Sequence, residues 1–147
     1  MKKLLLSAAV LLLTAGCSHT MTDHDGKIAT AQDLEHHNYV LVAIDGKAYK
    51  TAANEMAPNI EFGEKMHLSG AMCNNFFGQG AIKEGVLTAK GVGMTRKFCA
   101  DATLNQLDQT IGQLLEKGAT ATLHNDGQRL VLSEGKTQLT FELKDHK

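Results

Sequence analysis

Between residues 101 and 118 apolar side chains return every three or four positions, at Leu104, Leu107, Ile111, Leu114 and Leu115, and so lay a stripe along one face of an α-helix. Asp101 supplies an N-cap, and Gly118 stands where a left-handed C-terminal residue is wanted. Gly112 is the weak point of this helix, costing up to ~1 kcal/mol against alanine. Elsewhere in the folded part the period is two. Tyr39-Val40-Leu41-Val42-Ala43-Ile44 reads as a strand, with Tyr39 and Leu41 on one face and Val40 and Val42 on the other, closed by the turn pair Asp45-Gly46. Residues 50–58 are small and polar, end in the only proline, and read as loop. Ile60, Phe62, Met66 and Leu68 alternate inward about Gly63-Glu64, which leaves His67 on the wet face. A hairpin of 80–82 and 86–88 turns at Lys83-Glu84-Gly85, followed by an extended run over 91–95. Three strands at 119–124, 129–133 and 138–143 close the chain as a meander, in which neighbours pair antiparallel. About eight short strands with one main helix define an α+β domain. The helix must cover an open face or mouth of a strongly curved antiparallel sheet.

The first residues have a different logic. Met1-Lys2-Lys3 is a short positive segment, Leu4 to Leu13 is apolar except for Ser7, and Thr14-Ala15-Gly16 are small residues directly before Cys17. This is the three-part layout of a bacterial export signal, with an apolar run too short for a permanent span. Leu13-Thr14-Ala15-Gly16-Cys17 resembles a lipobox, with Thr14 in place of the usual leucine. Residues 1–16 are therefore expected to be a lipoprotein signal peptide, with Cys17 the lipid-attachment residue. Ser18 rather than Asp after the cysteine implies sorting to the outer membrane, with the domain facing the periplasm. Several acyl chains at ~0.8 kcal/mol per buried CH₂ would hold such an anchor in place. Residues 17–33 lack hydrophobic periodicity and read as a lipidated N-terminus and flexible tether, so the domain proper is expected over 34–147. Thr30-Ala31-Gln32-Asp33 nevertheless has the spacing of a capping box, and predicts one helical turn around 34–37.

Losing Lys2 and Lys3 with the signal would take the formal net charge from −1 to −3, with no basic stripe. Nucleic acid is therefore excluded as the expected partner. One domain of this size is expected to be a monomer. Its membrane contact is the N-terminal lipid.

With Cys17 assigned to lipid, Cys73 and Cys99 remain as an even pair. An oxidising compartment favours a disulfide between them. Metal binding is the sharper alternative, but two isolated cysteines without a CxxC spacing make a poor zinc site. Around these cysteines the chain is most individual. Gly70-x-x-Cys73-Asn74-x-Phe76-x-Gly78, then Met94-Thr95 and Cys99, then the amphipathic helix, resembles the META-domain family. The resemblance extends from Leu34 to the last strand and takes in His36-His37, Gly63-Glu64-Lys65-Met66 and Leu87-Thr88-Ala89-Lys90-Gly91. Tyr39 stands where the wider family commonly has tryptophan. The resemblance implies a small β-rich domain like a cracked barrel, with the helix across the gap. It further implies a heat-inducible envelope lipoprotein associated with novobiocin tolerance and without established enzymatic activity. Lipid-binding pilotins of secretion systems are among the structural relatives of such barrels.

The candidate chemistry is sparse. Asn74 and Asn75 are explained by a tight bend, since Asn tolerates left-handed backbone and bonds its own main chain. Thr95-Arg96 reads as solvated strand. Phe76, Phe77 and Phe98 are expected to pack around the bridge. Gly78-x-Gly80 and Gly91-x-Gly93 lack the strand-to-helix context of a phosphate loop. His36-His37 is the only close histidine pair of the folded part, Glu61 and Glu64 lie at turns, and His19 and His24 fall in the tether. No hydrolase, zinc-protease or catalytic-cysteine motif is present. No catalytic, cofactor-binding or metal residue is assigned. The leading reading is a non-enzymatic stress module that meets an unidentified envelope protein. A carrier seating an acyl chain or apolar peptide in the barrel mouth is the runner-up, and a periplasmic enzyme or enzyme inhibitor comes third.

Overall fold

In a computed structural model of the chain, residues 26–145 are described. The signal, Cys17 and the start of the tether lie outside them. In chain order the elements are β1 (Lys27–Ile28), α1 (Ala31–Leu34), β2 (His37–Ile44), β3 (Lys47–Ala48), β4 (Asn59–Phe62), β5 (His67–Ala71), β6 (Asn75–Lys83) and β7 (Val86–Met94). Then follow α2 (Ala102–Lys117), β8 (Ala119–His124), β9 (Arg129–Glu134) and β10 (Thr137–Leu143).

Pairing runs β8-β7-β6-β5-β4-β2-β10-β9 and returns from β9 to β8, so eight strands close a ring. Each contact round the ring is antiparallel. The α+β domain with one main helix is as the periodicity predicts. The cracked outline is replaced by a ring whose strand order closes on itself. The seam between β7 and β8 is nonetheless short, with only Val86↔Thr120 and Leu87↔Ala119 in register. Beyond it β8 takes β1 on the same edge, through Lys27↔Leu123 and Ile28↔Thr122.

The interior is filled by the residues that alternation selects. Tyr39, Leu41, Ile60, Phe62, Leu68, Phe76, Leu130, Leu132, Leu139 and Phe141 are all buried, and Leu107, Ile111, Leu114 and Leu115 of α2 close over them. Buried large side chains of this kind contribute roughly 1.5–3 kcal/mol each, which makes the inward face the main source of stability. The expected hairpin at 80–88 and the run at 91–95 are parts of one long hairpin, β6–β7. A register shift between Phe77 and Gln79 interrupts it, which is why the polar-apolar alternation reads as two pieces.

Two expectations are corrected. The tether does not extend to residue 33, because β1 adds to the edge of β8, and Thr30 caps α1 with a full capping box to Asp33. The helical turn is therefore at 31–34 rather than 34–37. Its Leu34 is fully buried, as is Ala29 just before it. Short polar residues concealed an edge strand here, since two residues are too few for any period to show. Of the three phenylalanines placed around the bridge, only Phe76 is buried; Phe77 is 52% and Phe98 87% exposed. Phe77 alternates out of β6, and Phe98 lies beyond the end of β7.

The registers define two poles. At one are β1, the start of β2 and the β8–β9 turn; at the other are the β5–β6 turn, the end of β7 and the start of α2.

Candidate functional site at the disulfide pole and beside the helix

Cys73 and Cys99 form the expected disulfide, with Cα atoms 5.9 Å apart and a sequence separation of 26. The bridge ties the β5–β6 turn to the segment leading into α2. Gly70 explains the start of the motif. It pairs with Phe76 across β5 and β6, and a Cβ there would meet the Asn59 carbonyl oxygen and lie 2.6 Å from the Phe76 ring. No side chain fits.

Asn74, only 4% exposed, is the hub of this pole. Its Nδ2 donates to the Lys97 carbonyl at 2.9 Å and to Asp108 Oδ2 at 2.7 Å. Its Oδ1 accepts from the Thr95 hydroxyl at 2.9 Å and from the Lys97 amide at 2.7 Å. Its own amide donates to Asp108 Oδ1 at 2.9 Å. The side-chain amide has two donors and two acceptor lone pairs, so all four are used. Thr95 is spent in the same way, accepting from the Asn75 amide at 3.1 Å. The bend expected at Asn74 and Asn75 is present, and its cause is this clamp rather than the turn preference of Asn alone. A second clamp is made by Asn105, whose Oδ1 accepts from the Cys99 amide at 2.9 Å and whose Nδ2 donates to the Cys99 carbonyl at 2.7 Å. Sequence reasoning missed Asp108 and Asn105. The available signal was their place beside the apolar stripe of α2, on its flank rather than on its far side.

Around the clamps the surface is open. Arg96, Lys97 and Phe98 are exposed in succession, and Met56 is 79% exposed beside a recess of about 400 Å³ next to the disulfide. A further groove of about 580 Å³ lies between β7 and α2, lined by Ala89, Val92 and Met94 on the strand and by Asp108, Gly112 and Glu116 on the helix.

At the opposite pole a recess of about 620 Å³ is lined by Lys27, Asp33, His37, Tyr39, Asp126 and Gln128. Hydrogen bonds from Lys27 and Thr30 hold the Asp33 carboxyl below the usual value. Burial, followed by the Asp145 and Asp33 charges, pushes the Tyr39 phenol up to about 12. His37 Nδ1 is 2.8 Å from Asp145 Oδ2. His67 and Glu64 are exposed, and so is Glu61, which lies inside β4 and alternates outward there rather than standing at a turn. Among the described residues no group of three or more His, Cys, Asp or Glu is placed to hold a metal.

An eight-stranded ring with a disulfide-stapled rim and one covering helix defines the class. The chain belongs to the META-domain family, whose model, described as the META domain, matches residues 32–146. It is 43% identical to the heat shock protein HslJ of Escherichia coli (strain K12) over 145 residues, covering 99% of this chain and 98% of that protein. A protein of known NMR structure is 44% identical and covers 80% of this chain and 97% of its own, with a TM-score of 0.72. An NMR structure of a protein from Burkholderia xenovorans superposes with a TM-score of 0.57 over 99% of this chain and 100% of its own. Its identity of 20% makes that likeness one of fold alone.

Proposed function

We propose that the chain is a non-catalytic envelope-stress lipoprotein of the outer membrane, anchored through Cys17 and meeting a partner through the surface of its folded domain. The observation that carries this reading is the saturation of Asn74: the most buried polar side chain of the recognisable motif is wholly spent on joining turn, loop and helix. A motif built for chemistry would keep a polar atom free for substrate. The similarity to heat shock protein HslJ supports the stress role, and the lipobox-like Leu13-to-Cys17 order supports the anchor. Novobiocin tolerance then follows from envelope maintenance and needs no contact with the drug. The carrier reading, which seats its ligand in the barrel mouth beside the helix, draws less support. The ring interior is filled by Tyr39, Phe62, Phe76 and Phe141, and the space left beside α2 is an open groove rather than an enclosed cavity.

The test is complementation under heat and novobiocin in a strain lacking the protein, with abundance measured for each variant. Single changes of Asn75, Thr95, Arg96 or His67 to Ala are expected to leave protection largely intact, and Cys17→Ser to remove it. If one such Ala variant at normal abundance abolished protection while Cys17→Ser still protected, a discrete active site would be the better reading.

A further inference from the structure

Strand β7 is unequally partnered. On one side it pairs with β6 from Val86 to Lys90 and again at Gly93 and Met94. On the other, β8 reaches only Val86 and Leu87. Among the described residues no strand pairs with Thr88–Met94 on that side, and none of the turn, loop or cap hydrogen bonds reaches that edge. Helix α2 packs against β7 there instead, with Gly118 beside Thr88, and a groove of about 580 Å³ remains open beside residues 89–94. A strand edge left beside an open groove presents backbone N–H and C=O groups in alternation. Only another extended backbone answers such a row group for group.

The helix wall is shaped to leave this space. Gly112 sits in the middle of α2, where glycine costs roughly 1 kcal/mol against alanine. A Cβ at Gly112 would meet nothing within 4 Å, so no packing inside the fold requires glycine there. What it does is keep the wall low where it faces Val92 and Ala89. Asp108 and Glu116 lie one turn to either side. Asp108 is committed to Asn74, whereas Glu116 has no ion pair among the described residues and is exposed. Charge complementarity therefore asks for a cation in the occupant.

We propose that this groove binds an extended segment of a partner protein, which adds to the free edge of β7 as a strand and places a Lys or Arg side chain against Glu116. The ladder is most regular at residues 88–90, since Gly91 and Val92 stand outside the β6 register. The segment's alternate apolar side chains lie over Val92 and Met94. This deepens the partner-module reading and rests on it for the partner's being a protein.

A displayed library of ten-residue peptides, selected on the purified full chain in detergent, tests the groove directly. Peptides enriched on the wild type are expected to bind the Gly112→Leu variant at least about tenfold more weakly, a loss of roughly 1.4 kcal/mol. Leucine is the better helix former, so this variant keeps its fold. The enriched peptides are expected to carry a basic residue, to lose affinity for Glu116→Ala, and to fail when alternate backbone nitrogens are methylated. Binding is expected to slow hydrogen exchange of amides between Thr88 and Met94. Failure to enrich any peptide that discriminates against Gly112→Leu overturns the proposal. Indifference to N-methylation overturns it too, and shows apolar docking instead of strand addition. Because selection reads the groove alone, its failure leaves the complementation result standing, and a failed complementation test leaves the groove measurement standing.

Discussion

Asn74 and Asp108 hold each other at two points: the Asn74 amide donates to Oδ1 at 2.9 Å and its Nδ2 to Oδ2 at 2.7 Å. The carboxylate belongs to α2 and the asparagine to the turn between β5 and β6, so helix and barrel are joined by a charge-assisted pair of bonds. Such bonds are about twice as strong as neutral ones. Asn74→Ala keeps the backbone bond to Asp108 Oδ1 but takes the side-chain partner from Asp108 Oδ2, the Lys97 amide and carbonyl, and the Thr95 hydroxyl. Each unmet group costs about 1–3 kcal/mol, reduced where water can enter, so a total loss of roughly 2–4 kcal/mol is expected. Urea unfolding of the variant checks this, and a loss below about 0.5 kcal/mol would show that the clamp carries no weight.

The disulfide acts on the same pole through the unfolded chain. Closing a loop across 26 residues stabilises by about 3.5 kcal/mol on the chain-entropy model. Changing Cys73 and Cys99 together to Ser is expected to lower unfolding stability by that order while the domain stays folded, because Asn105 still pins the Cys99 backbone to α2. Ready labelling of both thiols in the native wild type would contradict the bridge.

The clamp also shows what a sequence can and cannot disclose. The buried faces of β2, β4 and β5 follow from alternation alone, and Leu104 to Leu115 announce α2, because burial selects residue type at every second or every third and fourth position. Asn74 is visible as a polar residue beside a cysteine, but its partner lies 34 residues away on a different element. No local period encodes a contact across that distance. For the same reason the closure of the ring at β7 and β8 was not legible, since it rests on two residue pairs set by the position of α2. Phe98 misled in the opposite sense: its type speaks for the core, yet the Lys97 backbone bonds to Asn74 fix the chain so that the next side chain faces outward.

At the other pole Tyr39 predicts a change at alkaline pH. Its phenol is pushed up to about 12, first by burial and then by the charges of Asp145 and Asp33. The fold favours the neutral phenol. The stability it contributes is therefore complete below the ordinary value of 10.0 and is lost as pH rises from there through about 12. Burial also raises the Tyr49 phenol. Spectrophotometric titration of the native protein should therefore show both tyrosines ionising above the ordinary value with Tyr39 last, and Tyr39→Phe should remove that last step. Both phenols ionising together near 10.0 would show that the ring is not held as described.

The last prediction concerns how the domain stands on the membrane. Acylation at Cys17 would place the anchor nine residues before Gly26, and nine residues reach at most about 32 Å even when fully extended. Gly26 leads into β1, which lies at the pole with the β8–β9 turn and the start of β2. The disulfide, Phe98 and the N-terminus of α2 are at the other pole. An anchor so short constrains the first pole to stay near the lipid and leaves the second to face away, toward whatever the module meets. Full-length lipidated protein in nanodiscs carrying a gadolinium-chelated headgroup measures this. Amides of residues 26–29 and 125–128 are expected to broaden strongly, and those of 95–100 to broaden little. Soluble Cys17→Ser protein added to the same nanodiscs should show neither effect. Equal broadening at the two poles of the lipidated protein would mean that the domain tumbles freely or lies on its side, and the outward-facing disulfide pole would have to be given up.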